Sequence, residues 1–511
     1  MQGLNKSTIQ DIEQIEDVQR DLIKKELPER IVQFGEGNFL RLFIDWMIQQ
    51  LNKQGLFNGR VVAIQPTPHG KVVPKLDVQD GLYTTILQGI QDGEEKQEIE
   101  INSAISRGLN PYEDWKGFLD LAESDDIEFV FSNTTEAGLT YREEEFPDHT
   151  SPLSFPAKLT ALLYRRFTSK SGNPNAGLVI IPCELVEENG KLLRSLVLRA
   201  AEDWELPEAF VSWVNDHNNF CDTLVDRIVP GYPRDTAAEW EQQLGYQDML
   251  MSVGEPFHLF VIETEEELED RLPFQKGGLH VKWSDVKPYR DLKVSVLNAP
   301  HTMIFSVGYL SGLSTVYEVM EDSVAAEFVD RAIYQEILPN LSADKKEKES
   351  FAVSVIERFQ NPFVKHQLTD LGLNAVYKYR TRVLPLLNSY TVSNGEVPPA
   401  MCFSLAALFH YYKPDSVHEG HFLGKIDGKE YKVRDDQEAM DVFIDFWNKD
   451  DQITLKERVN RVLENEKLWG QDLTRLPDMT ATIVKFFEEI REKGAKKAVE
   501  TILNLQVENQ K

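Results

Sequence analysis

The apolar positions change their period along the chain. Arg30-Ile-Val-Gln-Phe-Gly35 is a short apolar run closing on glycine and predicts a buried strand. Asn38–Lys53 carries Phe39, Leu40, Phe43, Trp46, Met47 and Leu51 at helical spacing, and Arg60–Gln65 predicts a second strand. Strand, glycine turn, helix and strand make one βαβ unit. Ile127–Ser132 then reads as a buried strand, Phe155–Phe167 as a helix, Gly177–Pro182 as a strand and Leu192–Ala201 as a helix. Continuous apolar strands alternating with helices predict a parallel sheet covered on both faces. Between Gly81 and Ser106 polar and apolar residues alternate, which predicts extra, partly antiparallel strands added to that sheet. Residues 1–28 read as an exposed amphipathic helix ending at Leu27-Pro28. After about residue 285 strand signals fade and helical periods run to the end, interrupted at His418–Lys432 by Gly420, Gly424 and Gly428. That stretch predicts a surface loop or small hairpin.

Gly35-Glu-Gly37-Asn38-Phe39-Leu40 lies where a dinucleotide fingerprint belongs, after the first strand and at the start of the first helix. The first glycine permits a tight turn, and the second lets backbone N–H groups approach a pyrophosphate. Leu40 stands where G-x-G-x-x-G has its third glycine. The acid expected at the end of the second strand is also missing: the chain reads Ala63-Ile-Gln65-Pro-Thr67. Gln65 is the candidate partner for the ribose, with Lys71 as an alternative partner for a 2′-phosphate. Ser132-Asn133-Thr-Thr135-Glu136 closes a buried strand with polar residues, at the strand end that borders such a crevice. The candidate cofactor residues are therefore Phe34, Gly35, Gly37, Asn38, Phe39, Gln65, Asn133, Thr135 and Glu136. The pattern favours a nicotinamide dinucleotide without separating NAD from NADP. The expected architecture is an N-terminal helical extension over 1–28, an α/β Rossmann-like dinucleotide-binding domain with extra strands over 29–284, and a mainly α-helical substrate and catalytic domain over 285–511.

Composition narrows the partners. With 55 basic and 84 acidic residues among 511, the formal net charge is -29. A field of that sign argues against nucleic acid or an anionic membrane as partner. An anionic small molecule needs a site that is locally basic. The longest apolar runs are too short to span a bilayer, and the polar N-terminus has no signal-peptide core. Three cysteines without a C-x-x-C pair argue against a disulfide framework or a structural zinc. The expectation is a cytoplasmic protein; no pattern indicates an oligomeric state.

The densest chemistry lies in Lys293-Val-Ser-Val-Leu-Asn298-Ala-Pro-His301. On an α-helix, steps of five and three residues turn by about 500° and 300°, so the three side chains can share one broad face. They supply an amine, an amide donor and an imidazole, which suits moving a proton onto or off a sugar oxygen. The alternative is a polar helix start beside a core. Lys282, Lys287, Arg290 and Lys293 concentrate positive charge there, against the sign of the whole chain. Lys378 and Arg382 sit four apart and could grip a carboxylate, or form a surface pair with acidic neighbours. Asp226-Arg227 is an acid–base pair beside an apolar stripe, either at the substrate or as a structural ion pair. His418-Glu-Gly-His421 lacks the spaced partners of a metal site, and no metal is expected.

Lys293-x4-Asn298-x2-His301, Gly35-x-Gly37-x-Phe39-x-Arg41 and Val225-Asp226-Arg227-Ile228 together resemble the polyol-specific long-chain dehydrogenases, the mannitol dehydrogenase family. The resemblance spans roughly residues 30–480. Pro182-Cys-Glu-Leu-Val-Glu-Glu-Asn-Gly190, Phe220–Val229, Arg358-Phe-x-Asn-Pro362 and Lys378-x3-Arg382-x2-Pro385 resemble the branch that interconverts a keto-hexuronate and a hexonate, D-tagaturonate and D-altronate. The resemblance implies a metal-independent enzyme using NAD(H), with Lys293 as general acid–base and with Asn298 and His301 on the substrate oxygen. The sister reactions are reduction of fructuronate and oxidation of mannitol or its phosphate; outside enzymes, a dinucleotide-dependent sensor would share the fold. Mannitol dehydrogenases have an asparagine in the second position after the cysteine of the 183 region, where this chain has Leu185.

Overall fold

The computed structural model describes residues 1–12, 17–448 and 452–509. The chain forms two compact units: unit 1 comprises Met1–Gln88 and Glu94–Tyr289, and unit 2 comprises Gly89–Gly93 and Arg290–Lys511.

Unit 1 is built on a six-stranded sheet: β1 (Glu29–Phe34), β2 (Arg60–Ile64), β3 (Ile105–Leu109), β4 (Phe129–Ser132), β5 (Val179–Pro182) and β6 (Asn219–Phe220). The strands lie in the order β3-β2-β1-β4-β5-β6 and every pair is parallel. Every residue of β2, β4 and β5 is buried. Alternate residues feed two cores because successive side chains leave opposite faces of a strand. Phe129 and Phe131 pack with Phe43, Met47 and Leu51 on one face; Val130 packs with Leu159, Leu163 and Val197 on the other. The strand order reverses between β1 and β4, which opens a crevice at their carboxyl ends.

Three local expectations change. The single helix expected over 38–53 is two, Asn38–Leu42 and Ile44–Lys53, with Phe43 at φ -115 and ψ -76 between them. Leu40 fills the space that a third glycine would leave, and the chain bends three residues later. The strands of the 81–106 region do not join the main sheet, whose edge is taken by β3. Tyr83–Gln91 and Glu94–Asn102 form a separate three-stranded sheet with Ser252–Gly254. The N-terminal segment is not one exposed helix. It contains a 3-10 turn at Ile9–Asp11 and a helix at Asp17–Lys24, and residues 13–16 lie outside the described residues. Leu4, Ile9, Ile12 and Ile23 are buried against Ile86, Tyr246 and Met251; four apolar side chains are better removed from water than left on a projecting helix.

Unit 2 is mainly helical. Ala299–Gly308 is buried at every position within the helix Ala299–Leu310, and it packs on the equally apolar helix Pro399–Tyr411. A helix apolar on all sides belongs at the centre of its unit. Among the described residues three turns are π-helical: Val294–Asn298, Ala332–Ile337 and Tyr379–Val383. Each closes with a bond five residues back: Ala299 N–H to Val294 O, Leu338 N–H to Ile333 O and Leu384 N–H to Tyr379 O. Each is followed two residues on by proline, at 300, 339 and 385. A proline inside a helix lacks a donor and crowds the carbonyl four residues back, and a widened preceding turn relieves that crowding. The first π-turn neighbours the other two. The expected loop or hairpin near 418–432 is a three-stranded antiparallel sheet, Ser416–His418, His421–Ile426 and Lys429–Val433. Among the described residues no helix is long and apolar enough to cross a membrane.

Candidate active site

The crevice of unit 1 is edged by the turn after β1. Gly35 has φ +117, a conformation that L side chains rarely adopt. A Cβ there would come within 3.0 Å of Asn133 O and of Leu40 Cδ1. Gly37 has ordinary backbone angles (φ -70, ψ 168) and a Cβ on it would meet nothing within 4 Å. The protein leaves open the space above the second glycine, as a close-lying diphosphate requires. The Arg41 guanidinium braces the turn, donating to Glu36 O, to Asn38 Oδ1 at 2.6 Å and to Leu250 O at 3.3 Å. Asn38 Oδ1 also accepts from Ser252 Oγ, so this side chain is committed to the protein. Phe34 is buried against Phe118 and Phe155, and Phe39 stacks on Phe43 at 5.0 Å.

Across the crevice, the ends of β4 and β5 are tied together by Glu184. Its carboxylate accepts from Ser132 Oγ, Thr134 N–H and Thr134 Oγ1 at 2.9–3.0 Å. Burial raises its pKa, opposed by those same hydrogen bonds. Asn133 Nδ2 donates to Cys183 O at 2.8 Å. Thr135 follows with φ +69, an outlier for a β-branched residue, and Glu136 is exposed beside it. Glu184 was not singled out as a site residue; the available signal was a carboxylate two residues after a fully buried strand.

Two expected contacts turn inward. Gln65 is 1% exposed and its amide donates to Thr67 O at 2.8 Å, so it shapes the turn after β2. Arg227, expected at the substrate, has its guanidinium on Glu255 O, Leu42 O and Pro256 O and over the Trp46 ring at 4.2 Å. Burial lowers its pKa to about 9. Asp226 is buried at the end of the strand Asp222–Asp226. The carbonyls that Arg227 holds are invisible to a pattern of side chains.

In unit 2, Lys293 is the last residue of the helix Val286–Lys293, the π-turn Val294–Asn298 follows, and His301 lies in the next helix. Five residues make about 1.4 turns of an α-helix, but only a little more than one turn of a π-helix, which holds roughly one residue more. The π-turn therefore brings Lys293 and Asn298 onto one side. His301, three α-helical residues further on, stays within about 60° of Asn298. Lys293 and Asn298 are half-buried and His301 is buried.

His301 stacks on Phe359 at 4.3 Å and meets His366 edge to face at 4.9 Å. Its pKa is held well below the usual imidazole value, first by burial and then by His366, Arg358, Arg382 and Lys378. Every charged or titratable neighbour in that set is cationic or an imidazole. Lys378 donates to Leu371 O at 3.2 Å, and its pKa is lowered by burial and by Arg382. Lys378 and Arg382, expected from their spacing to grip a carboxylate, thus both bear electrostatically on the His301 ring. Arg358 and His366 were not singled out as site residues. Only folding brings the helix Lys345–Phe359 and the segment before Leu368 to the same ring. The cluster offers a proton donor, two neutral hydrogen-bonding groups and a basic surround for an anion.

A doubly wound domain with an open glycine turn, and a helical unit presenting lysine, amide and imidazole on one face, are the parts of a dehydrogenase acting on carbohydrate alcohols. The chain belongs to the mannitol dehydrogenase family: residues 29–276 match the mannitol dehydrogenase Rossmann domain and residues 285–491 the mannitol dehydrogenase C-terminal domain. It is 50% identical over 481 residues to an altronate oxidoreductase of Halalkalibacterium halodurans, covering 94% of both chains. It is 42% identical to one from Klebsiella pneumoniae, over 94% of this chain and 99% of that one. Mannitol 2-dehydrogenase of Pseudomonas fluorescens, solved as a ternary complex with NAD and D-mannitol, shares the fold with TM-score 0.70 and 20% identity, over 98% of this chain and 99% of that one.

Proposed function

We propose that this chain is an NAD(H)-dependent altronate oxidoreductase, interconverting D-tagaturonate and D-altronate in hexuronate breakdown. The observation that carries the reading is the basic surround of His301 in unit 2, Arg358, Lys378 and Arg382, within a chain of net charge -29. A neutral polyol makes no use of such positive charge, whereas a hexuronate brings a carboxylate to it. The relatives named altronate oxidoreductase, matched over almost their whole length, support the same substrate class.

The bound nicotinamide supplies or accepts the hydride. Lys293 gives a proton to the developing alkoxide in reduction and takes it back in oxidation. Asn298 and His301, the latter neutral because buried, donate hydrogen bonds to that oxygen. With Leu185 in the position of a second amide, these two groups carry the charge. Lys378 and Arg382 hold the carboxylate, arginine in bidentate fashion. The main chain at 35–39 receives the diphosphate, and the loop 133–136, held by Glu184, borders the nicotinamide end. In this reading residues 29–284 bind the dinucleotide, residues 285–511 bind the sugar acid, and the enzyme works in the cytoplasm.

The test is a panel of tagaturonate, fructuronate, fructose and fructose phosphate with NADH and NADPH, followed by absorbance of the reduced cofactor. Tagaturonate with NADH should give the highest kcat/KM. Equal turnover of fructose would refute the role of the basic cluster, and no oxidation with any substrate would favour a sensor.

A further inference from the structure

One imidazole in this cluster has no part in the reaction just described. The backbone at His366 is pinned: its carbonyl accepts from Val316 N–H at 3.0 Å, Leu368 N–H donates to Ser314 O at 2.9 Å, and Thr315 and Gln367 form an antiparallel bridge between them. From that anchored position the His366 ring meets His301 at 4.9 Å with an interplanar angle of 72°. Phe359 stacks on the same His301 ring at 4.3 Å and 30°. Phe359 itself is fixed, 2% exposed in the last turn of the helix Lys345–Phe359. A ring held by one stacked neighbour and one edge-on neighbour cannot rotate without losing one of them. Among the described residues no hydrogen bond orients either imidazole through its nitrogens, so ring packing is what sets the plane of His301.

We propose that His366 is a positioning residue: its edge fixes the plane of His301, so that the His301 ring nitrogen faces the substrate oxygen before the sugar acid arrives. This rests on the role given to His301 above. The charge environment suits a neutral wedge. His366 faces Asp370, which favours a proton on it, and Lys378, which with burial opposes one. His301 faces Arg358, Arg382 and Lys378. An imidazolium placed against that set would be repelled by all of it, whereas a neutral ring packs.

The experiment compares His366→Ala with His366→Phe, which keeps a flat ring able to present an edge. An edge-to-face contact is worth about 0.5–1.5 kcal/mol, so His366→Ala should lower kcat by about two- to tenfold. KM for the sugar acid should change little, and His366→Phe should recover most of the loss. If both variants instead raise KM alike, His366 binds substrate and the proposal is overturned; if both turn over like the parent, it is overturned too. A second reading needs no substrate. In histidine-15N-labelled protein, the His301 ring signals should shift or broaden in His366→Ala and stay near the parent in His366→Phe. Unchanged His301 signals in the alanine variant would refute the positioning role. Should the parent fail to reduce any hexuronate, the functional reading falls while the ring signals still decide this one.

Discussion

The two glycines of the first turn make opposite demands, and a pair of alanine substitutions separates them. Gly35 has φ +117, and a Cβ there would sit 3.0 Å from a backbone oxygen and 3.0 Å from the buried Leu40. Backbone strain of that kind costs about 1–3 kcal/mol. Neither the carbonyl of Asn133 nor the packed Leu40 can move away freely, so Gly35→Ala should fall at the upper end. Melting should drop by roughly 2–4 °C for each kcal/mol. Gly37 has φ -70, and its Cβ would enter open space. Gly37→Ala should therefore fold as well as the parent, or gain about 0.4–1 kcal/mol by restricting the unfolded chain. Its methyl, however, stands where the diphosphate should pass, so the Kd for NADH should rise at least about tenfold, a loss of about 1.4 kcal/mol. Thermal melting and fluorescence titration with NADH read the two effects separately. A Gly35→Ala protein that melts with the parent would refute the strain argument. A Gly37→Ala protein that binds NADH normally would remove the diphosphate from this turn.

Lys293→Ala should lower kcat by about 10²–10⁴-fold while leaving the NADH Kd unchanged; loss of NADH binding instead would contradict its assignment to proton transfer. Arg382→Met should lower kcat/KM for the keto-hexuronate by about 10- to 150-fold, the equivalent of a charged hydrogen bond of about 1.5–3 kcal/mol. Equal loss with fructose would show that Arg382 does not read the carboxylate. His410 Nε2 donates to Phe487 O at 2.9 Å, and burial lowers its pKa to about 4. Between about pH 4 and 6.5 the unfolded chain then binds a proton that the folded chain refuses, so stability should fall as pH falls through that window, by up to about 1.4 kcal/mol per pH unit. Urea midpoints at pH 7 and 5.5 test this, and a His410→Gln protein showing the same difference as the parent would assign it elsewhere.

The alternation of apolar strands with helical periods was enough to predict a parallel sheet with helices on both faces, because the two faces of a buried strand must each be covered. The glycine turn after the first strand was likewise legible, whereas the π-turn that sets Lys293 against Asn298 was not, because the spacing alone predicts an α-helix there. Three other things were not. The break at Phe43 and the separate sheet of Tyr83–Asn102 depend on packing in the folded chain: Leu40 packs against Gly35, and β3 takes the edge of the main sheet. Gln65 and Arg227 looked like ligand contacts because their side chains are polar; burial and backbone carbonyls, which no residue pattern displays, turned them to structural work. Arg358 and His366 reach His301 only through the packing of unit 2. Local sequence set periods, turns and the chemistry on offer. Tertiary packing decided which polar groups meet one another and which meet only the protein's own backbone, because those contacts join residues far apart along the chain.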